Sequence, residues 1–221
     1  MERTKRRPLV TGVLSPRSAL IFAISIEILA FIWLWAFVNL LSAFLAVAAC
    51  LFYVFVYSLW LKRSSTSNIV IGGAAGAVPV LIGWSSVTNS LDWPPVILFL
   101  LIFLWTPPHF WALAIRYRED YSNANVPMLP VIEGTKVTGY RMVLYAFQVW
   151  AISLIFVPVA DMGLIYLISA ILLGAIFTFF SFQVMIRPTQ KSAMRLFGFS
   201  ISYITILFTL IAVDQLVRSG F

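Results

Sequence analysis

The chain has 221 residues, of which 62% are hydrophobic and 10% charged, and its formal net charge is +7. Soluble domains carry about 45–50% apolar and about 25% charged residues, so this composition excludes a soluble globular protein. Most of the chain must lie in lipid, where helices can satisfy their own backbone hydrogen bonds. We therefore predict an all-α fold, a polytopic bundle of transmembrane helices.

Seven segments are apolar enough and, at roughly 20 residues, long enough to cross a bilayer. The stretch from 18 to 61 is too long for one span, and Asn39 marks the predicted turn within it. Pro188 predicts the end of the sixth span. Charged residues are nearly absent inside the spans, and Glu27 is the clear exception in the first of them. In chain order, the predicted spans are 18–37, 40–61, 69–88, 94–115, 140–160, 163–186 and 194–217.

Positive charge is concentrated at one end of the predicted bundle. Every Lys and Arg except Arg218 lies in the N-terminal segment or in the loops after the second, fourth and sixth spans. Seven spans put these four segments on one side, and the positive-inside rule predicts that this side is cytoplasmic. The compact loops favour the bacterial cytoplasmic membrane. Loop 116–139 is the only loop with room for a lid or a functional site.

Two basic segments at this end, and the residues that follow the second one, each allow two interpretations. Residues 3–8 and the pair Lys62-Arg63 either set the topology and attract anionic headgroups or bind a diphosphate. The small-residue stretch 72–77 favours either close helix packing or a cavity for a bulky ligand. Asn68, at a helix start, is either an N-cap or a ligand contact.

A third segment, residues 105–121, has the most unusual composition. Pro107 and Pro108 remove two backbone donors inside a span, which predicts a helix break lined by protein or a cavity. His109 follows them, and an ionisable side chain inside a membrane indicates function by default. Glu119 and Asp120 are adjacent carboxylates at the membrane surface, which suits Mg²⁺ bound together with substrate phosphates. Residues 126–130 form a stiff apolar segment that could cover a site.

Four motifs follow one another along the whole chain. They are Arg3-Thr4-Lys5-x-Arg7-Pro8-Leu9, Leu61-Lys62-Arg63 with residues 68–77, Trp105-Thr106-Pro107-Pro108-His109-Phe110-Trp111 with residues 112–114, and Asp120-Tyr121 with residues 126–131. Together they resemble the protohaem IX farnesyltransferases, the haem O synthase branch of the UbiA-type intramembrane prenyltransferases. The Thr-Pro-Pro-His-Phe-Trp run is typical of the haem branch.

The resemblance implies transfer of the farnesyl group of farnesyl diphosphate to a vinyl group of haem B, giving haem O, with Mg²⁺ holding the diphosphate. It implies the lipid bilayer and the next haem-modifying enzyme, haem A synthase, as partners, and no nucleic acid. Asp120 with Glu119 resembles the second acidic motif and supplies the catalytic metal ligands. The implied diphosphate contacts are Arg3, Lys5, Arg7, Lys62, Arg63, Arg116 and Arg118. The implied haem or prenyl pocket contacts are Asn68, His109, Trp111, Tyr117 and Tyr121.

The chain also departs from the family's pattern. The family has nine spans, and its first motif, Asn-x-x-x-Asp-x-x-x-Asp, precedes the Arg-Thr-x-x-Arg-Pro segment that here begins at Arg3. We therefore expect one domain, 1–221, truncated at its N-terminus by two spans and that motif. If Met1 is the true start, we expect little or no activity. Tyr117 and Tyr121 stand where many superfamily members carry Asp residues four apart.

Other functions stay open at this point. One is prenyl transfer to another acceptor, such as a phenolic acid. A second is an inactive remnant that binds haem or lipid. A transporter is disfavoured, because no paired broken helices occur in corresponding halves of the chain.

Overall fold

The computed structural model describes residues 4–220, and within them it contains helices and no strand. Seven of these helices are long and apolar enough to cross a membrane, which confirms the seven predicted spans and identifies an integral membrane protein. They are α1 (Pro16–Phe37), α2 (Leu40–Ser64), α3 (Asn68–Thr88), α4 (Trp93–Arg116), α5 (Gly134–Val159), α6 (Leu164–Ile186) and α7 (Gln190–Arg218).

The last four long helices form the centre of the bundle. Helix α4 packs against α5 and α7, and α6 packs against both α5 and α7, so the four close into a ring of neighbours. The largest fully buried side chains include Trp111, Tyr166, Phe177 and Tyr203, all in these helices. Helices α3, α2 and α1 then follow outward from α4, each packed on the next. Helix α1 contacts α2 and has no buried residue.

The predicted loop 116–139 is shorter than expected. Helix α5 begins at Gly134, and short helices at Arg118–Asn123 and Leu129–Ile132 occupy most of the connection. Gly134 has a φ of +81°, which suits a glycine at the turn into α5. The charges at Lys136 and Arg141 suggested a loop, but they lie on the first turns of a helix that begins before the apolar span.

The predicted helix break at Pro107 and Pro108 is wrong. Helix α4 runs without interruption from Trp93 to Arg116. Both prolines are buried, and the hydroxyl of Thr106 donates a hydrogen bond of 2.8 Å to the Ile102 carbonyl just before them. Neighbouring helices therefore stabilise a helix that the sequence alone would interrupt.

The predicted turn at Asn39 is confirmed, and its side chain links two hairpins. The Asn39 carbonyl oxygen accepts from the backbone N–H of Ser42 at 2.8 Å, which caps α2. Its amide donates to the Ser85 carbonyl at 2.6 Å, and the hydroxyls of Ser42 and Ser85 lie 2.7 Å apart. The start of α2 is thus joined to the end of α3, at the end of the bundle opposite the basic loops.

A buried carboxylate caps α6 at the same end. Asp214 of α7 is 1% exposed. Its oxygens accept from the backbone N–H of Gly163 at 2.6 Å and of Tyr166 at 3.1 Å. An anion at a helix N-terminus is favoured by the unpaired N–H groups and the helix dipole. Asp214 therefore fixes the α5–α6 connection against the end of α7.

We expect Asp214→Ala to lower the free energy of unfolding by about 2–4 kcal/mol, because two N–H groups at the start of α6, one of them fully buried, lose a charged acceptor. Thermal unfolding in detergent measures the change. The matched control is Asp161→Asn, which removes a charge at the same end from an exposed ion pair with Arg218. Asparagine tolerates the positive φ of residue 161, and we expect Asp161→Asn to change the free energy of unfolding little. Equal effects of the two variants would contradict the capping role.

Candidate active site

An apolar cavity of about 500 Å³ lies between α2, α3 and α4. Helix α3 presents its small residues to this cavity, including Gly72, Gly73 and Gly76. For the small-residue stretch 72–77 we predicted either close helix packing or a cavity for a ligand, and the structure contains both features. A Cβ at Gly73 would lie 2.9 Å from the Thr106 methyl group, whereas a Cβ at Gly76 would meet nothing within 4 Å. Gly73 therefore permits close packing, and Gly76 leaves space in the cavity.

The α2 wall of the cavity is built from an unusual helical segment. Residues Phe52–Leu61 are π-helical, and such segments are frequent at functional sites. Tyr53 and Tyr57 in this segment stack with ring centroids 5.3 Å apart, and both line the cavity. A Cβ at Gly72 would collide with the Tyr57 ring. The position of Tyr57 in the cavity wall therefore depends on a glycine in the neighbouring helix.

The cavity reaches the basic end of the bundle near Tyr57. The ammonium of Lys62 lies 5.9 Å from the Tyr57 ring centroid. Tyr121, from the short helix after α4, is close enough to Tyr57 to interact electrostatically. The structure therefore brings a predicted diphosphate residue and a predicted pocket residue to one mouth of the cavity.

The remaining basic candidates within the described residues lie in three different places. Arg116, Arg118 and Glu119 line a separate surface cavity of about 480 Å³, closed on its far side by the α6–α7 connection. Arg63 is exposed beside Lys62 at the end of α2. Lys5 and Arg7 lie in the exposed N-terminal segment and line neither cavity, and Arg3 lies outside the described residues.

The two candidate metal ligands are consecutive in the short helix Arg118–Asn123. Consecutive helical residues project about 100° apart. Glu119 is accordingly exposed in the surface cavity, whereas Asp120 is half-buried. No cluster of three or more His, Cys, Asp or Glu side chains occurs in residues 4–220. This donor set suits Mg²⁺, which takes one or two carboxylates and fills its other positions with water and phosphate oxygens.

Asn68 is 1% exposed, and neither atom of its amide has a hydrogen-bond partner within the described part of the chain. Its side chain does not cap α3, so the N-cap interpretation is wrong. A buried amide without partners costs free energy, because its polar groups lose water. Asn68 precedes Ile69, which lines the apolar cavity, so an amide donor and acceptor lie beside the cavity wall.

His109 lies between α4 and α7 and does not line the apolar cavity. Its ring stacks between Trp105 and Phe197, with centroid distances of 4.3 and 4.6 Å. Its Nδ1 lies 2.6 Å from the Ser200 hydroxyl, which donates its own proton to the Phe197 carbonyl. With its proton on that carbonyl, the hydroxyl oxygen can accept from Nδ1–H. His109 holds two helices together, and its predicted contact with haem stays a prediction.

Trp111 and Tyr117 also lie away from the cavity lining. Trp111 is 1% exposed in the core, edge-on to Tyr145 at 5.5 Å. Tyr117 is half-buried at the end of α4, with the Arg116 guanidinium 5.7 Å from its ring centroid. Their predicted roles in a haem or prenyl pocket also stay predictions.

Sequence reasoning missed several residues that line the cavity. Tyr53 and Tyr57 are four residues apart at the basic end of a span, which is a weak signal in a chain with 8 tyrosines. Cys50 is half-buried, lines the cavity and lies beside Glu27. The π-helical segment has no sequence signature that would have identified it.

We expect Gly73→Ala to destabilise the protein by about 1–3 kcal/mol, because its methyl group would overpack against Thr106. Gly76→Ala adds the same methyl group to open space three residues later, and we expect it to be neutral or slightly stabilising. Thermal unfolding of the two variants in detergent provides the comparison. A stable Gly73→Ala variant would contradict the close α3–α4 contact.

Comparison with known proteins places the chain in one family. The UbiA prenyltransferase family matches residues 1–206. The chain is 49% identical over 219 residues to the Protoheme IX farnesyltransferase of Clavibacter michiganensis subsp. michiganensis, covering 98% of this chain and 72% of that relative. Identity is 52% to the enzyme of the same name from Parafrankia sp., with 98% and 70% covered. Identity is 50% to that from Picosynechococcus sp., with 98% and 69% covered.

A solved structure of digeranylgeranylglyceryl phosphate synthase has the same fold. The TM-score is 0.78 at 22% sequence identity, and the match covers 96% of this chain and 76% of that one. The shared fold and the family match over most of the chain agree with each other. The chain belongs to the UbiA prenyltransferase family and is an integral membrane prenyltransferase.

Proposed function

We propose that this protein transfers the farnesyl group of farnesyl diphosphate to a vinyl group of haem B, giving haem O. The observation that carries the proposal is the identity of about half the residues, along 98% of the chain, to relatives named Protoheme IX farnesyltransferase. An alternative acceptor is not favoured, because relatives from several genera carry this same name.

The apolar cavity between α2, α3 and α4 is the proposed site of the farnesyl chain. Its walls are small, aliphatic or aromatic, and its mouth lies beside Lys62. A chain bound this way would place its diphosphate at the basic end of the bundle. Lys62 and Arg63, together with Arg116 at the end of α4 and Arg118 in the short helix after it, would offset the charge of the leaving group.

The reaction needs charged groups around the leaving diphosphate and a water-free, apolar cavity around the allylic cation. The bond between C1 of farnesyl diphosphate and its oxygen breaks, and diphosphate leaves with the electron pair. The vinyl carbon attacks C1 to form a carbon–carbon bond, and water adds to the cation left beside the porphyrin, releasing a proton. Tyr53 and Tyr57 line the cavity and would help to keep water from the allylic cation.

The family uses divalent metal ions, and we propose Mg²⁺ for this chain. Asp120 and Glu119 would hold it, because they are carboxylates beside the basic residues at the same end. When bound, the ion supplies charge neutralisation to the diphosphate oxygens. The buried amide of Asn68 is suited to donate to an anionic group or to accept from water at this position.

The location and further partners of the protein are also proposals. The concentration of basic residues in alternate connections supports a cytoplasmic position for the N-terminus and the active-site connections. Bacterial relatives support the cytoplasmic membrane. Because haem O has a long apolar tail, its release into water is unfavourable. This supports direct passage to the next haem-modifying enzyme, haem A synthase, within the membrane.

The decisive assay supplies farnesyl diphosphate, haem B and Mg²⁺ to the purified protein in lipid nanodiscs. We expect a haem product heavier by one farnesyl group and one hydroxyl, identified by mass spectrometry. Asp120→Asn should lower the rate about 100-fold, because a charged metal ligand is lost. Asp92→Asn, at the opposite end of the bundle, should leave it unchanged. A product with another mass, or equal rates for the two variants, would contradict the assignment.

A second variant tests the location of the farnesyl chain. Gly76→Leu would extend a side chain into the open part of the apolar cavity. We expect KM for farnesyl diphosphate to rise about tenfold or more, and KM for the shorter geranyl diphosphate to change less, because the added side chain occupies space that only the longer chain needs. Gly76→Ala is the matched control with the same backbone change. Equal effects on both substrates would place the farnesyl chain elsewhere.

A further inference from the structure

The connection between α6 and α7 carries three basic side chains around a cavity of its own. The cavity has a volume of about 540 Å³. Its lining includes Arg187 at the end of α6, and Lys191 and Arg195 in the first turns of α7. This cavity, here called the α6–α7 pocket, is at the basic end of the bundle.

The charge in the α6–α7 pocket is unbalanced. None of its lining residues is a carboxylate, and all three cations are exposed. Within residues 4–220 none of the three forms an ion pair; the ion pairs found join Arg141 to Glu133 and Arg218 to Asp161. Lys191 and Arg195 are four residues apart on one helix face, where like charges repel each other. Cations in the first turns of a helix also oppose its dipole. An anion in the pocket would relieve both effects.

The end of helix α7 does not itself provide the binding groups. Thr189 and Ser192 form a capping box, in which each hydroxyl accepts from the backbone N–H of the other residue at 3.1 Å. The backbone N–H groups of Thr189 and Ser192 are thus already used within the protein. The charged groups that line the pocket are the three basic side chains, and the Gln183 side chain also lines it.

The α6–α7 pocket is separate from the proposed site of farnesyl transfer. The apolar cavity is lined by residues of α2, α3 and α4 and by none of α6 or α7. The surface cavity at Arg116 borders the same connection, through Pro188 and Gln190, but it shares no lining residue with this pocket. The prenyl diphosphate is therefore not the ligand that these three cations would contact.

We propose that Arg187, Lys191 and Arg195 bind the phosphate group of an anionic phospholipid. The pocket lies where two membrane spans leave the bilayer, and its apolar edge is Ile186, the last residue of α6, which is 70% exposed. A ligand with a phosphate next to acyl chains matches basic side chains next to a lipid-facing isoleucine. Basic pockets between membrane helices bind lipid headgroups in this way. The positive-inside rule explains why basic residues lie at this end of the bundle. It does not explain why three of them line one cavity.

The test is a titration of the detergent-purified, delipidated protein with phosphatidylglycerol, with bound lipid counted by native mass spectrometry. We expect the triple variant Arg187→Gln, Lys191→Gln, Arg195→Gln to bind about 100-fold more weakly at low ionic strength. The matched control, Arg6→Gln, Arg17→Gln, Lys136→Gln, removes the same charge from exposed residues outside this pocket. It should bind within about twofold of the original protein. None of the six residues belongs to the candidate active site, so the result does not depend on farnesyl transfer.

Two further titrations identify the source of the phosphate. Weaker binding of zwitterionic phosphatidylcholine supports the anionic lipid. Competition by inorganic phosphate, with the same dependence on the three residues, supports the phosphate chemistry and identifies free phosphate as an additional source. Unchanged phosphatidylglycerol binding by the pocket variant, or equal losses in both triple variants, would overturn the proposal. If the triple variant unfolds, Lys191→Gln alone should still weaken binding about fivefold.

Discussion

Inside a bilayer a polar group either finds a partner within the protein or stays unpaired at a cost in free energy, and several helix contacts of this chain follow from that constraint. Asp214 is buried between helices only because two backbone N–H groups at the start of α6 meet its oxygens. Asn39 likewise joins the start of α2 to the end of α3. The Nδ1 of His109 pairs with the Ser200 hydroxyl on α7. Each of these contacts links elements distant in sequence, so polar groups in this protein specify which helices are neighbours.

The two ends of the bundle differ in their polar groups and in what those groups do. At the end near Asp214, short connections and capping interactions hold the helices in register. At the other end lie the basic side chains, most of them exposed, and the longest connection of the bundle, between α4 and α5. The apolar cavity meets this second end at Tyr57, where the membrane interior and charged groups are adjacent. A reaction that separates a diphosphate from an apolar cation needs that adjacency, because each product is stabilised by a different environment.

The number of spans, the turn at Asn39 and the end of α6 could be predicted from the sequence, because hydropathy and turn residues act locally. The family and the basic end could also be recognised from motifs in order. The continuous helix through Pro107 and Pro108 could not, because its stability depends on packing by other helices. The location of Trp111 in the core and the stacking of His109 on Phe197 were equally out of reach, since they depend on helix rotation about the axis. A motif indicates that a residue is important for function, but it does not show which helix the side chain packs against.

Helix α1 illustrates how unevenly stability is distributed in this fold. It packs on α2 and buries none of its residues, whereas α4 is held by three neighbours. A membrane helix satisfies its backbone hydrogen bonds without help, so α1 can persist as a helix even when it separates from the rest. Few contacts then oppose its displacement, and in hydrogen exchange or under mechanical load α1 is the element that would separate first. Because α2 forms one wall of the apolar cavity, lateral movement of α1 would change how that wall is exposed to the surrounding lipid.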